Sequence, residues 1–265
     1  MKSSLRIQSL TVLSLVLFSQ IAFAGISVEP TVTEKVIEPG KNEEGIYILT
    51  NMGEKKVDVS VELEDWMARL HGLKDDIDVN EWLSVNPNKV TLEPGQKVEL
   101  KYLAKAPVKF TNEKVAQVFF TFSENETLTQ RLGVIFYMSA KGAHKLKAEI
   151  AQLSASYDSS DPNKPRLILF IEIRNDSNFH IRPLGSLTLW DADKKFAFKT
   201  LILDRVPGIY PGKSSSFNYI FPYEKIPTGS YKVKVALNYG QMYAENAVME
   251  KTTDLVWENT KKDSK

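Results

Sequence analysis

Apolar and polar residues alternate along most of the chain after residue 25. In VDVSVEL (57–63) and KVELKYLA (97–104), every second residue is apolar, so each segment has one apolar and one polar face. Similar segments recur about every ten residues and are bounded by Gly, Pro and Asn, which is the pattern of antiparallel β-sandwiches. The pattern therefore predicts an all-β protein.

The predicted strands fall into two series. The first series covers 26–37, 44–51, 57–65, 89–92, 96–104, 114–123 and 130–139. The second series covers 146–157, 166–174, 184–190, 195–203, 214–221, 230–239 and 245–256. The one helical pattern lies near residues 63–73, where Gly72 interrupts it. We expect two tandem immunoglobulin-like sandwiches set at an angle, because the linker between the series is short.

The two ends of the chain lie outside these series. A basic start, the apolar run Leu10–Phe18 and the Ala22–Ala24 cleavage pattern predict a secretory signal peptide. The run is shorter than the roughly 20 residues that a membrane-spanning helix needs, although an uncleaved anchor is the alternative. The predicted organisation is a signal peptide over 1–24, an N-terminal domain over 25–142, a C-terminal domain over 143–257 and a polar tail over 258–265.

Charge and cysteine content narrow the class of protein. The chain has 34 Lys and Arg against 33 Asp and Glu, a net charge of +1. A balanced charge does not favour binding to nucleic acid or to acidic lipid, so we expect neither partner. There are no cysteines, so core packing rather than disulfides has to stabilise the exported chain. We expect a periplasmic protein without a membrane span after cleavage of the signal peptide.

Residues for catalysis are sparse. The three histidines are His71, His144 and His180, and we expect His71 and His180 in solvated loops. The sequence has no nucleophile elbow, no zinc-binding histidine helix and no Gly-rich phosphate loop. It therefore predicts neither an enzyme nor a bound cofactor.

One acidic segment has partial calcium-loop spacing. Asp76, Asp78 and Asn80 are two residues apart, but Glu81 and Pro87 stand where an EF-hand requires Gly and Glu. An EF-hand is therefore excluded, and a solvated charged loop is the first interpretation. The alternative is a looser calcium site built from Asp75, Asp76, Asp78 and Glu81.

Four motifs follow one another through the first half of the chain. They are GISVEPTVTEKVI, VELEDW, WLSVNPNKVTLEPGQKVELKYLAKAP and QRLGVIFYMSAKG. In this order, behind a signal peptide, they resemble the PapD-like periplasmic pilus-assembly chaperones, nearest to the archaic, spore-coat-like branch. The resemblance implies two immunoglobulin-like domains in an L shape and an edge strand that completes a client subunit. It also implies exported subunits and an outer-membrane usher as partners.

The resemblance further implies two residues that hold the carboxylate of the client, and this chain lacks both. Val32 or one of its neighbours takes the place of an Arg on the first strand, and Gly133 or Val134 takes the place of a Lys on the last. The preceding SENETLTQ contains a single apolar residue, Leu128. Substitutes for partner binding are sought in the last strand and the linker: Leu128, Gln130, Arg131, Leu132, Lys141, His144 and Lys145.

Two functions are compatible with these observations. The first is a non-catalytic periplasmic chaperone that binds and stabilises exported pilus-like or surface subunits by edge-strand pairing. The second is a structural or adhesive protein of the cell envelope, because RNDSNFHIRPLGSLTLWDADKK and GSYKVKVALNYG also resemble immunoglobulin-like domains of surface proteins.

Overall fold

The computed structural model describes most of the chain downstream of the predicted signal peptide. The described residues are 25–72, 77–125, 128–158, 160, 166–191, 196–203, 208–221, 229–240 and 247–257. The predicted signal peptide and polar tail lie outside them. Most of the described residues belong to β-strands, and the described chain has only two short helices besides, so the predicted all-β class is confirmed.

The first sandwich packs a four-stranded sheet, in the order β1-β3-β7-β5, against a five-stranded sheet, in the order β2-β9-β8-β4-β6. Its elements are β1 (Ile26–Glu29), β2 (Val32–Ile37), β3 (Asn42–Asn51), β4 (Val57–Asp65), α1 (Trp66–His71), α2 (Val79–Trp82), β5 (Leu83–Asn86), β6 (Lys89–Leu92), β7 (Lys97–Lys105), β8 (Lys114–Asn125) and β9 (Leu128–Ala140).

The second sandwich packs a sheet in the order β10-β11-β14 against a sheet in the order β13-β12-β15-β16. Its elements are β10 (Ala148–Asp158), β11 (Arg166–Asn175), β12 (Leu184–Asp191), β13 (Phe196–Leu203), β14 (Lys213–Phe221), β15 (Gly229–Asn238) and β16 (Val248–Trp257). The predicted strands match these elements within a few residues.

Each sandwich has its own apolar core. In the first, Tyr47 packs edge-on against Phe120, with ring centroids 5.7 Å apart, and Phe136 is fully buried beside them. In the second, the inner faces of the two sheets meet through residues such as Ile171 and Val233. Two separate cores explain why the alternating pattern is repeated in the two halves of the sequence.

The prediction of one continuous strand over 26–37 is wrong. The chain changes sheets at Pro30: β1 pairs with β3 in one sheet, and β2 pairs in parallel with β9 in the other. Ile26 and Val28 are buried before the break, whereas Thr33 and Ile37 are buried after it. The alternation therefore shifts by one residue, as it has to when the strand turns its inner face to the opposite sheet.

The helical pattern near residues 63–73 is confirmed as α1. The side chain of Asp65 accepts a hydrogen bond of 3.0 Å from the amide of Ala68 and caps the helix, which ends at Gly72 with φ of 65°. Glycine adopts this left-handed conformation without the steric penalty of a side chain. The sequence did not predict α2 or β5. No helix in the described chain combines the length and the apolar character needed to span a membrane.

Candidate functional site

Strand β9 has one edge that is only partly covered. On one side, β8 pairs with β9 from Leu128 to Met138. On the other side, β2 pairs with β9 only from Ile135 to Ala140. Between Leu128 and Val134, none of the described strands pairs with this second edge. We call this stretch the open edge; its outward backbone groups can bond to an added strand.

The two faces of β9 differ in burial. Val134, Phe136 and Met138 point into the first core and are almost completely buried, and Leu132 is half-buried against the same core. One face of β9 therefore belongs to the core of the first sandwich. Gln130 is also half-buried and pairs with Phe122, whereas the side chain of Leu128 lies outside the described residues.

Arg131 lies on the outer face, next to the open edge. Its guanidinium stacks 3.5 Å above the centroid of the Phe119 ring and donates to Glu62 and Glu64 at 2.8 and 2.6 Å. Burial acts to raise the pKa of Glu64, but the hydrogen bonds from Arg131 and Arg69 outweigh it and lower that pKa. The charge of Arg131 is therefore matched by carboxylates of its own sheet.

The resemblance implies two basic residues that bind the carboxylate of a client. The corresponding positions in this chain are occupied by the uncharged residues Val32 and Gly133 or Val134. Val32 is 43% exposed at the start of β2, and Val134 points into the core. The side chain of Gln117 on β8 leaves no room for a side chain at Gly133, because a Cβ atom there would lie 2.3 Å from Nε2 of Gln117. Gln117 could not be identified from the sequence alone, since neighbours across a sheet leave no local signal in the sequence.

A buried polar contact joins the two sandwiches. The carboxylate of Glu113, just before β8, accepts a hydrogen bond of 2.9 Å from the backbone amide of His180. Nδ1 of His180 lies 2.7 Å from the same carboxylate, and its ring stacks on Tyr137 at 3.8 Å. The expectation that His180 is solvated is wrong, because Glu113 and Tyr137 of the first sandwich cover it to 4% exposure.

Further contacts extend this interface, which we call the hinge cluster. Arg182 donates to Glu34 of β2. Trp66 donates to the hydroxyl of Tyr210 at 2.9 Å, and that hydroxyl lies 3.2 Å from the hydroxyl of Tyr137. Burial, followed by the neighbouring Tyr210, raises the pKa of Tyr137. Both sandwiches contribute side chains, so the hinge cluster joins them through buried polar contacts.

The three candidate residues of the linker contact different partners. Nζ of Lys141 lies 3.0 Å from Glu38, and both side chains are exposed. The amide of Lys145 donates to Oδ1 of Asn178 at 2.8 Å. His144 packs edge-on against Phe179, with ring centroids 5.1 Å apart. The linker is thus fastened to the second sandwich, and a role of these residues in partner binding stays a prediction.

The alternative calcium site falls partly outside the described chain. Asp75 and Asp76 are not among the described residues. The side chain of Asp78 accepts a hydrogen bond of 2.9 Å from the amide of Asn80, which caps α2. Within the described ranges, no group of three or more acidic or histidine residues is arranged to hold a metal ion.

His144 is expected to give stability that depends on pH. Burial lowers its pKa below the ordinary value of 6.5. Since the unfolded chain then binds protons more readily, the contribution of His144 is full above pH 6.5 and is lost as the pH falls toward the lowered pKa. NMR titration should show the lowered pKa, and His144→Asn should flatten the decline in unfolding free energy below pH 6.5. An ordinary or raised pKa would contradict this.

Of the comparisons with known proteins, only the one with solved structures found similar chains. No protein-family model matches the sequence, and no curated protein matches it. Many of the solved structures that resemble the chain are fimbrial chaperones.

Three of these neighbours show the extent of the likeness. The class 5 fimbriae chaperone CfaA is 14% identical, with 86% of this chain and 99% of that chain covered and a TM-score of 0.46. A chain from the CsuC–CsuE complex of Acinetobacter baumannii, a chaperone with a tip adhesion subunit, is 13% identical to this chain. The match covers 73% of this chain and 90% of that chain, with a TM-score of 0.41. The CupB2 chaperone of Pseudomonas aeruginosa is 13% identical, with 86% and 98% covered and a TM-score of 0.39.

Proposed function

We propose that this protein is a non-catalytic periplasmic chaperone that binds and stabilises exported subunits of a pilus or another surface structure. A strand of the subunit pairs with the open edge of β9, between Leu128 and Val134. The observation that supports this proposal is the partial cover of β9, because β8 pairs along this stretch while β2 begins only at Ile135. In this proposal, an outer-membrane usher is a second partner that receives the bound subunit.

The open edge is suited to receive a strand because β9 is held firmly. Downstream of the edge, Val134 and Phe136 anchor the strand in the first core. Alongside it, β8 continues to Asn125. A rigid edge lowers the entropy that is lost on binding, since only the partner strand has to become ordered. Main-chain hydrogen bonds then supply affinity that depends little on the sequence of the partner.

Specificity comes from the side chains that flank the edge. Gln130 and Leu132 face the open end of the core, and Arg131 lies on the outer face. A partner strand that alternates apolar and polar residues would place its apolar residues against the core side. We therefore expect clients with an incomplete apolar core that lack one strand of their own.

Leu128→Asp is expected to reduce the amount of co-purified client by about tenfold, because a charge at the start of the open edge opposes an apolar partner strand. The chaperone variant is co-expressed with the exported proteins encoded beside it, and client recovered in the soluble periplasmic fraction is measured. Ile202→Asp is the matched control, since Ile202 is an apolar residue with 70% exposure on the second sandwich.

The control variant should retain full binding. Equal recovery of client with Leu128→Asp and with the unmodified chain would contradict edge pairing. Firm association of the unmodified chain with the envelope, without recovery of any complex, would instead favour the structural or adhesive alternative.

A further inference from the structure

Gln117 lies at the downstream end of the open edge and occupies the space above Gly133. It belongs to β8, where it pairs with Ile135 of β9, and its side chain reaches diagonally across the neighbouring strand. A Cβ atom on Gly133 would approach Nε2 of Gln117 to 2.3 Å. Oε1 of Gln117 is buried and has no hydrogen-bond partner within the described chain. A buried amide oxygen without a partner is unfavourable, and rotation of the carboxamide toward a strand added at the open edge would give this oxygen a donor.

The position of β2 determines what meets Gln117. From Ile135 onward, β2 occupies the same edge of β9 that is open upstream of Ile135. A strand added over the open edge would lie end to end with β2 and would have to leave the sheet before Val32. The departing end of such a strand would therefore lie beside Gly133 and the carboxamide of Gln117.

The charges on this face do not favour a free carboxylate at that end. Arg131 is bonded to Glu62 and Glu64, and Arg182 is bonded to Glu34. Each of these two cations is already matched by a carboxylate from the same face. A carboxamide offers one acceptor and two donors without charge, which suits a neutral peptide group better than an ionised chain end.

We propose, building on the edge pairing proposed above, that Gln117 positions the departing end of the client strand by hydrogen bonding to its uncharged main chain. The client segment is then an internal strand that continues past the site, and it is not a chain terminus held by its carboxylate. This arrangement also requires Gly133, because only a residue without a side chain leaves room for Gln117 to lie across β9.

A defined peptide tests this proposal without knowledge of the natural client. The probe is a short fluorescent peptide of alternating valine and threonine, prepared with free or with acetylated and amidated ends, and binding is followed by anisotropy. The unmodified protein should bind both forms with affinities within about twofold of each other. Gln117→Ala should weaken the binding of both forms about fivefold, which corresponds to the loss of one neutral hydrogen bond.

A second variant is expected to create a preference for the peptide with the free carboxylate. In the double variant Gln117→Ala with Gly133→Lys, the closest neighbour of the new Cβ atom is removed, and the Phe119 ring, 3.0 Å from that atom, has to shift by a few tenths of an ångström. The peptide with the free carboxylate should then bind about tenfold more tightly than the blocked peptide. Thermal unfolding of each variant, followed by circular dichroism, confirms that the protein used in the binding measurement is folded.

The outcomes separate this inference from the proposed function. If the peptides bind and Leu128→Asp abolishes binding, but Gln117→Ala has no effect, the inference about Gln117 is wrong and edge pairing stands. A preference of the unmodified protein for the free carboxylate would also overturn it. If neither peptide binds to the unmodified protein, edge pairing itself fails, and the role of Gln117 fails with it.

Discussion

Replacing Glu113 by alanine should lower the free energy of unfolding by about 3 kcal/mol and should loosen the angle between the two sandwiches. The carboxylate of Glu113 accepts hydrogen bonds from both the backbone amide and the ring of His180. Both residues are buried, so water cannot replace the lost acceptor. The effect is large because one substitution leaves two donors of a buried histidine without a partner.

Urea denaturation measures the loss of stability, with the transitions of the two sandwiches fitted separately because domains can unfold independently. Small-angle X-ray scattering measures the angle between them. The control is Glu38→Ala, which removes an exposed ion pair with Lys141 near the same linker and should leave stability and shape unchanged. An unchanged scattering profile and stability in Glu113→Ala would show that the hinge cluster does not set the angle.

Replacing Gly185 by alanine should destabilise the second sandwich by about 3 kcal/mol or prevent its folding. A Cβ atom on Gly185 would lie 1.9 Å from the backbone oxygen of Ala236 on β15. That oxygen belongs to the neighbouring strand and cannot rotate away as a side chain could. The strands β12 and β15 would have to separate locally, at the expense of the ladder that joins them.

Gly208→Ala is the matched control in the same domain. Among the described residues, a Cβ atom there meets the side chain of Arg182, at an ordinary contact distance of 3.7 Å. Thermal unfolding should therefore show a large loss for Gly185→Ala and little change for Gly208→Ala. Comparable behaviour of the two variants would mean that β12 and β15 relax without loss of pairing.

The sequence was sufficient to predict most strands because one face of each sheet is buried. In β4 and β7, the alternation of apolar and polar residues follows the alternation of buried and exposed side chains. At the end of α1, Gly72 adopts the left-handed conformation that glycine favours. The shift of sheets at Pro30 was also written in the sequence, as a change of phase between Val28 and Thr33. The prediction of one strand over 26–37 overlooks this change of phase, because apolar residues recur on both sides of Pro30.

The hinge cluster could not be predicted in the same way. Glu113 and His180 are 67 residues apart in sequence and belong to different sandwiches. A histidine in a loop looks solvated until a second domain covers it, and nothing in the local pattern around His180 reports that cover. The packing of Gln117 over Gly133 depends on the register between β8 and β9, which alternation alone does not fix.

The start of β2 also acts as a length limit for any strand that joins β9. The stretch from Leu128 to Val134 offers about seven residues, or about 23 Å of extended chain. A longer partner segment has to bend away or displace β2, whose residues Thr33 and Ile37 are buried. In the proposed pairing, a client strand would therefore be selected by its length as well as by its side-chain pattern.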